Sequence, residues 1–140
     1  MVITFENTSD LLRSAEITYI NMRPYYQHHG VTWQADTIKQ KIASLKNIDI
    51  LSDGRLIGAI RVDSDDDGYY LRDLQIVENY QNKGLGALAL IEVKRLASLD
   101  GEKTLRLKVF KTSPAYQLYQ RLNFIVEKED DKFYHMVCYL

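Results

Sequence analysis

Apolar residues recur at intervals of three or four positions in four stretches of the chain, which predicts four helices. Thr8-Ser9-Asp10 offers N-cap side chains before the first stretch. Pro24 is expected to end or bend that helix, because proline lacks the N–H that the helical ladder needs. The apolar positions of the first three helices are Leu11, Ala15, Tyr19 and Met22; then Ile38, Ile42 and Leu45; then Leu85, Ala89, Val93 and Leu96. The fourth helix is predicted from near Pro114 through Leu122.

Seven other segments are rich in β-branched and aromatic residues or alternate between apolar and polar positions, which predicts strands. Asp53-Gly54, between the second and third of them, is a strong hairpin signal. The elements follow the order β-α-α-β-β-β-α-β-α-β-β, which indicates a mixed α/β fold with an antiparallel meander before a crossover helix. The predicted strands are Val2–Glu6, Ile48–Ser52, Leu56–Asp63, Tyr69–Val77, the segment with Leu105, Leu107 and Val109, Phe124–Val126 and Phe133–Tyr139.

Composition narrows the class of protein. The 140 residues carry a net charge of −1 and are 46% hydrophobic, which fits one soluble domain spanning 1–140. Nucleic-acid binding is not expected, since such domains are usually strongly basic, and no apolar run is long enough for a membrane span. The chain has one cysteine, Cys138, so it forms no internal disulfide and a cytoplasmic location is expected.

No spacing of His, Cys, Asp and Glu predicts a metal site. The acidic turn from Asp63 to Gly68 resembles the start of a calcium-binding loop, but its twelfth position is Leu74, where a bidentate glutamate is required. We read it as a solvated hairpin turn that could attract a cationic molecule.

The segment Gln81-Asn82-Lys83-Gly84-Leu85-Gly86-Ala87 joins the strand Tyr69–Val77 to the third helix. Glycine lets a backbone approach a ligand closely, and the unpaired N–H groups of a helix start favour phosphate. A plain turn that happens to use glycine is the alternative. A dinucleotide-binding fingerprint does not fit, because the preceding strand ends a meander instead of opening a βαβ unit.

The spacing Gln81-x-x-Gly84-x-Gly86 resembles the acyl-CoA-binding signature of the GNAT N-acetyltransferase superfamily. A second segment, from Ser113 to Phe124, is similar to that family's later motif, which commonly reads Asn-Pro-Ala, two residues, Leu-Tyr, three residues, Gly-Phe. Both motifs in one chain, in this order, are much more specific than either alone. The similarity covers about residues 48–137 well.

The resemblance implies a mixed, mostly antiparallel sheet of about seven strands, with about four helices and splayed central strands between which acetyl-CoA binds. It implies direct attack of an amine on the thioester, with no metal. Serine stands where the family has asparagine, and Asn123 replaces its glycine. By resemblance, the residues that bind the cofactor are Leu74, Gln75, Ile76, Gln81, Asn82, Lys83, Gly84, Leu85, Gly86, Ala87, Ser113 and Tyr116.

The chemistry needs an oxyanion site, a base and a group that meets the leaving thiolate. The resemblance places a free backbone N–H near Ile76 for the first task and Tyr119 for the last. A core tyrosine with a satisfied hydroxyl is the alternative for Tyr119. Asp73 is our candidate base, acting through water, with Glu78, His28 and His29 as other choices for that role.

The acceptor is expected to be a small-molecule amine or a protein amine. The aromatic stretch with Tyr25, Tyr26, His28 and Trp33 could wall its pocket and hold a cation, or could simply cover the core. Two other functions stay open: an acyl-CoA-binding module without turnover, and a nucleotide-binding domain without acyl chemistry. Pairing of the last strands could make a homodimer.

Overall fold

A computed structural model describes all residues from 1 to 140. It contains seven strands and four α-helices, as the sequence predicts, and a 3-10 turn at Glu78–Tyr80. The strands are β1 (Ile3–Asn7), β2 (Lys46–Ser52), β3 (Arg55–Asp65), β4 (Gly68–Ile76), β5 (Thr104–Phe110), β6 (Ile125–Glu129) and β7 (Phe133–Tyr139). The helices are α1 (Leu11–His28), α2 (Ala35–Ile42), α3 (Leu85–Leu99) and α4 (Ala115–Arg121).

The seven strands form one mixed sheet in the order β1-β2-β3-β4-β5-β7-β6. The turn between β2 and β3 uses Asp53 at φ +49° and Gly54 at φ +81°, the two positive angles of a tight hairpin. Strands β4 and β5 are parallel, with Tyr69 opposite Leu105 and Tyr70 opposite Arg106. That short ladder agrees with the separated central strands that the family resemblance implies, and the predicted fold class is confirmed.

The chain divides into two compact units. The first comprises Met1–Arg61 and Asp73–Leu85, and the second comprises Val62–Arg72 and Gly86–Leu140. The first contains a cluster of buried side chains from α1, α2 and the segment that joins them. The second buries one face of β5, as the predicted alternation of Leu105, Leu107 and Val109 requires, together with Phe124.

The sequence predicts that Pro24 ends or bends helix α1; the helix continues through it to His28, so Pro24 does not end it. Proline at this position cannot donate to the carbonyl of Ile20, at a cost of roughly 3 kcal/mol in a helix interior. Packing offsets that cost, since Tyr26, in the turn after the proline, is 7% exposed within the α1–α2 cluster. Tertiary burial therefore decides where α1 ends.

None of the helices combines the length and apolar character that crossing a membrane requires.

Candidate active site

The signature segment, residues 81–87, has two left-handed backbone positions before α3 begins at Leu85. Asn82 lies at φ +60° and Gly84 at φ +79°, and a Cβ added at Gly84 would meet no atom within 4 Å. The Gln81 side chain turns back, and its Nε2 donates to the carbonyl of Ile76 at 2.8 Å. Lys83 lies on the exposed side, with Nζ 5.9 Å from the centre of the Tyr80 ring. The loop therefore presents backbone to open space beside Gly84.

Helix α3 begins at Leu85, within this segment. Its first residue, Leu85, is 3% exposed and is the last residue of the first unit. Within the second unit, a Cβ on Gly86 would stand 3.2 Å from Cδ2 of Leu118. The N–H groups of the first turn of a helix have no partners within the helix, so Gly86 and Ala87 contribute donors at the end of the loop.

The carboxyl end of β4 keeps part of its backbone unpaired with β3. The N–H of Val77 donates to the carbonyl of Ile57 on β3 at 2.8 Å. Successive amides of an extended strand point in opposite directions, so the N–H of Ile76 points away from β3. The carbonyl of Ile76 accepts from Asn21 Nδ2 at 2.9 Å as well as from Gln81. The peptide after Ile76, which carries the Val77 N–H, is therefore held by Asn21, Gln81 and Ile57 at the end of β4.

Sequence reasoning missed Gly58 and Asn21. A Cβ on Gly58 would lie 2.6 Å from the Gln75 carbonyl, so β3 and β4 can approach this closely only with glycine there. Asn21 Nδ2 also donates to Gln75 Oε1 at 3.1 Å, tying α1 to β4. A glycine inside a predicted strand is a known sign of close backbone approach, whereas nothing in the sequence singles out Asn21.

A buried arginine, Arg61, holds Asp73. The guanidinium of Arg61 is fully buried, and Nη1 lies 2.5 Å from Asp73 Oδ2 and 2.6 Å from Thr18 Oγ1. Its other donors reach the carbonyl and hydroxyl of Ser14 and the side-chain oxygen of Asn47. All five N–H groups of Arg61 are thereby used.

Asp73 has a structural role in addition to its predicted role as a base. Its Oδ1 accepts from Gln75 Nε2 at 2.8 Å, so both carboxylate oxygens already accept hydrogen bonds, while 27% of the side chain stays exposed. Asp73 thus anchors β4 to Arg61, and its role as a base stays a prediction.

Asp73 lines a cavity of about 190 Å³ within the first unit. Tyr26 and Trp33 also line it, with ring centres 5.7 Å apart. Burial, and secondarily the charge of Asp73, raises the pKa of the Tyr26 phenol above its usual value, so Tyr26 is a proton donor rather than a base. The remaining lining residues are Thr18, Met22, Ile38, Lys41, Ile42 and Gln75.

Two of the residues predicted to bind the acceptor lie elsewhere. Tyr25 is 42% exposed, and its ring centre is 4.3 Å from that of His29. The ring of His28 lies edge-on to that of His29 at 4.8 Å. Tyr26 and Trp33 therefore line the cavity, while Tyr25, His28 and His29 contact one another at the end of α1. Substrate contact by Tyr25 and His28 stays a prediction.

In the second unit, α4 carries Tyr119 at a defined helix end. The N–H of Phe124 donates to the carbonyl of Tyr119, and that of Asn123 to the carbonyl of Gln120, at 3.0 and 3.1 Å. Asn123 has φ +71°, as expected for the residue that replaces the family's glycine. The Tyr119 ring packs edge-on against buried Phe124 at 5.8 Å, which completes this type of helix termination and fixes Tyr119.

The start of α4 explains the serine in place of asparagine. Ser113 Oγ accepts from the N–H of Ala115 at 3.2 Å, so the hydroxyl stabilises the first turn and keeps its own proton to donate. Tyr116 stacks on Tyr134 at 4.6 Å, and its hydroxyl accepts from Gln120 Nε2. A contact of Ser113 or Tyr116 with acyl-CoA stays a prediction.

A larger cavity of about 430 Å³ in the second unit contains none of the predicted site residues. Its side chains are paired among themselves: Arg106 binds Glu127 through two nitrogens at 3.1 Å, and Arg72 lies over the Tyr70 ring at 4.0 Å. Nowhere in the structure do three or more His, Cys, Asp or Glu side chains gather so that they could hold a metal ion.

Comparison with models of protein families identifies one family. The family model described as "Acetyltransferase (GNAT) family" matches residues 14–124. A comparison with curated protein sequences found no match.

Solved structures of the same fold extend over the whole chain. The PaiA N-acetyltransferase from Thermoplasma acidophilum, in complex with coenzyme A, has a TM-score of 0.80 at 19% identity, with 100% of both chains covered. The ribosomal-protein-S18-alanine N-acetyltransferase from Escherichia coli has a TM-score of 0.76 at 19% identity, with 99% of this chain and 94% of that chain covered. An acetyltransferase from Thermus thermophilus has a TM-score of 0.77 at 17% identity, with 100% and 98% covered.

These solved structures show the fold, and the family model spans most of the sequence and includes both motifs up to Phe124. The chain therefore belongs to the GNAT family of acetyltransferases.

Proposed function

We propose that this protein is a cytoplasmic N-acetyltransferase that moves an acetyl group from acetyl-CoA to a primary amine. The observation that carries the proposal is the backbone geometry at the end of β4 and in the signature segment that follows it. It combines the outward amide of Ile76, the open space at Gly84 and the start of a 15-residue helix at Leu85.

The residues present fit acetyl-CoA. Gly84 adopts a positive φ and faces open space, so the loop backbone can approach a pyrophosphate without a side chain in between. The first-turn N–H groups of α3, together with its helix dipole, favour that negative charge. The backbone of Leu74, Gln75 and Ile76 would run along the pantetheine arm, and the Lys83 ammonium adds a cation on the same loop.

When bound, acetyl-CoA supplies an activated acetyl carbonyl on a thiol leaving group. The nitrogen lone pair of the amine attacks that carbonyl carbon, the C–S bond breaks, and the amine proton leaves to a base while the thiolate gains a proton. The Ile76 N–H would donate to the carbonyl oxygen as negative charge develops on it. Asn21 and Gln81 bind the Ile76 carbonyl, which belongs to the next peptide, and so support the end of β4 beside that N–H.

Tyr119 is the proposed donor to the departing sulfur. Its position is fixed by the termination of α4 and by packing on Phe124. A phenol with a pKa of about 10 donates to a thiolate of about 8.5 without giving up its proton, so a hydrogen bond suffices. Loss of the hydroxyl should therefore slow turnover moderately.

The amine must be neutral when it attacks. Asp73 would take the proton through water, from a position where 27% of its side chain is accessible. Because both Asp73 oxygens already accept hydrogen bonds, the remaining lone pairs are the ones available to a water.

The test is an acetyl-transfer assay with purified protein, acetyl-CoA and a panel of primary amines. We expect thiol release that depends on the amine, with the acetylated amine identified by mass spectrometry. Tyr119→Phe should bind acetyl-CoA normally and turn over more slowly. Tight acetyl-CoA binding with no transfer to any amine would contradict the proposal and favour the acyl-CoA-binding module.

A further inference from the structure

The 190 Å³ cavity of the first unit holds two groups that could recognise a cation, and the protein's own cations already engage both. The carboxylate of Asp73 is paired with the fully buried guanidinium of Arg61. The ring of Trp33 has the ammonium of Lys41 at 4.4 Å from its centre. An incoming cation would therefore meet an acid already neutralised and an aromatic face already covered.

The charge left over in this cavity is positive. Asp73 and Lys41 are the charged side chains among its lining residues. Arg61 balances Asp73, whereas no carboxylate lies within the 4.0 Å of an ion pair with Lys41. The uncompensated group of the cavity is thus the Lys41 ammonium, at its solvent-exposed side.

The cavity is small and has an apolar wall. Its volume of about 190 Å³ corresponds to about six waters at roughly 30 Å³ each. Met22, Ile38 and Ile42 supply apolar surface, and Asp73 and Gln75 mark the end formed by β4. A ligand that fills it has a short apolar body, and one end of that body lies beside the β4 strand.

We propose that the acceptor is a small amine that also carries an anionic group, of the amino-acid type, and that Lys41 selects it. This rests on the proposed transferase function and names its substrate class. The anionic group pairs with Lys41, the apolar body lies on Met22 and Ile42, and the amino group points toward β4. It adds an anionic group to the small amine acceptor that is expected from the sequence.

Trp33 makes the test direct, because it is the only tryptophan in the chain and Lys41 lies over it. Its fluorescence reports occupancy of this cavity whether or not acetyl transfer follows. The probes are leucine and 3-methylbutylamine, which share a carbon skeleton and differ by the carboxylate. Lys41→Met removes the charge and keeps the length, and Lys39→Met is the matched control, since Lys39 is on the same helix but does not line the cavity.

We expect leucine to change Trp33 emission at concentrations at least tenfold lower than 3-methylbutylamine does. Lys41→Met should abolish that preference, Lys41→Arg should restore it, and Lys39→Met should leave it intact. Equal or tighter binding of 3-methylbutylamine by the wild type overturns the proposal, as does a preference that survives in Lys41→Met. An emission that neither probe changes at millimolar concentration also overturns it, because Trp33 lines this cavity and Lys41 lies over its ring.

Transfer assays with the same two probes separate this inference from the proposed function. Acetylation of 3-methylbutylamine in preference to leucine would leave the transferase standing and reject the substrate class. Binding of leucine through Lys41 without any release of coenzyme A would support the ligand class and reject the transferase function.

Discussion

The two regions that supply the candidate catalytic groups are built in different ways. In the second unit, Tyr119 is positioned by hydrogen bonds between residues at most five apart, which end α4. In the first unit, Asp73 is positioned by Arg61, which reaches α1 across 43 and 47 residues of chain. Hydrogen bonds between near neighbours that end a helix can be recognised from a sequence motif. The long-range contacts of Arg61 form only when the whole unit has folded.

The difference also predicts what mutations do. Arg61 has a fully buried charge, so its removal leaves desolvated partners and acts on the stability of the first unit. The hydroxyl of Tyr119 is at a half-buried helix end, where deletion acts on chemistry and hardly on folding. The following predictions test that contrast.

The largest effect is expected for Arg61→Leu. It removes one member of a buried ion pair and strands the polar groups of Ser14 and Thr18, so the free energy of unfolding should fall by about 3–5 kcal/mol in urea denaturation. The control is Arg106→Leu, which breaks a partly exposed pair with Glu127 and should cost about 1 kcal/mol or less. Equal losses in the two variants would contradict the role given to Arg61.

The next effect concerns the close approach of β3 and β4. Gly58→Ala places a methyl group 2.6 Å from the Gln75 carbonyl, so the strand must move, at a cost of about 1–3 kcal/mol. Acetyl-CoA binding, measured by calorimetry, should weaken as well. In the control Gly86→Ala, the new methyl group meets only the flexible end of Leu118 at 3.2 Å, so the loss of stability should be smaller. A Gly58→Ala protein with normal stability and normal acetyl-CoA affinity would contradict this interpretation.

Two substitutions at Gly84 separate backbone strain from ligand access. Valine disfavours φ +79° by roughly 1–2 kcal/mol, whereas asparagine tolerates it. Both add a Cβ into the open space, so both should lower acetyl-CoA affinity at least tenfold, while only Gly84→Val lowers thermal stability. Full affinity in Gly84→Asn would refute the need for a bare backbone at this point.

A smaller effect is expected for Tyr119→Phe, which keeps the packing on Phe124 and deletes the hydroxyl. We expect kcat to fall roughly tenfold, about 1.4 kcal/mol of activation free energy, with unchanged stability and acetyl-CoA affinity. Tyr139→Phe, at an exposed position on β7 outside the named site, is the control and should turn over normally. An unaltered kcat in Tyr119→Phe would remove its catalytic role.

The smallest effect is electrostatic and is confined to the hairpin between β6 and β7. The His135 ring, followed by the backbone N–H groups of Phe133 and Lys132, lowers the pKa of Asp130 to about 2 from 3.8. A carboxylate with a lowered folded-state pKa stabilises the fold above pH 3.8, and that contribution is lost as pH falls through about 2. Asp130→Asn should therefore be slightly less stable than the wild type at neutral pH, and the two thermal unfolding curves should converge near pH 2.

Local patterns in the sequence predict much of this molecule. The seven strands, the four helices, the Asp53-Gly54 turn and the left-handed Asn123 follow from periodicity, turn chemistry and helix-ending preferences. The loop at Gly84 could be located from the sequence because its positive φ favours glycine. These features depend on neighbours within a few residues.

The parts that could not be predicted depend on distant neighbours. The passage of α1 through Pro24 depends on burial of Tyr26, and the use of Asp73 depends on an arginine whose burial no local pattern reveals. The cover of Trp33 by Lys41 is likewise a contact between α2 and the segment before it. The sequence could identify Asp73 and Trp33 as candidates. It could not show that Arg61 and Lys41 already contact them.

The central claim is that the end of β4 and the signature segment form an acetyl-CoA site, and ligand-dependent thermal stability tests it most directly. At about 100 times its dissociation constant, a ligand that binds only the folded protein adds roughly 2.7 kcal/mol, which is a clear shift in Tm. We predict a shift with acetyl-CoA, none with NAD or ATP, and a much smaller shift in Gly84→Val. No shift with acetyl-CoA, or an equal one in Gly84→Val, would contradict the account.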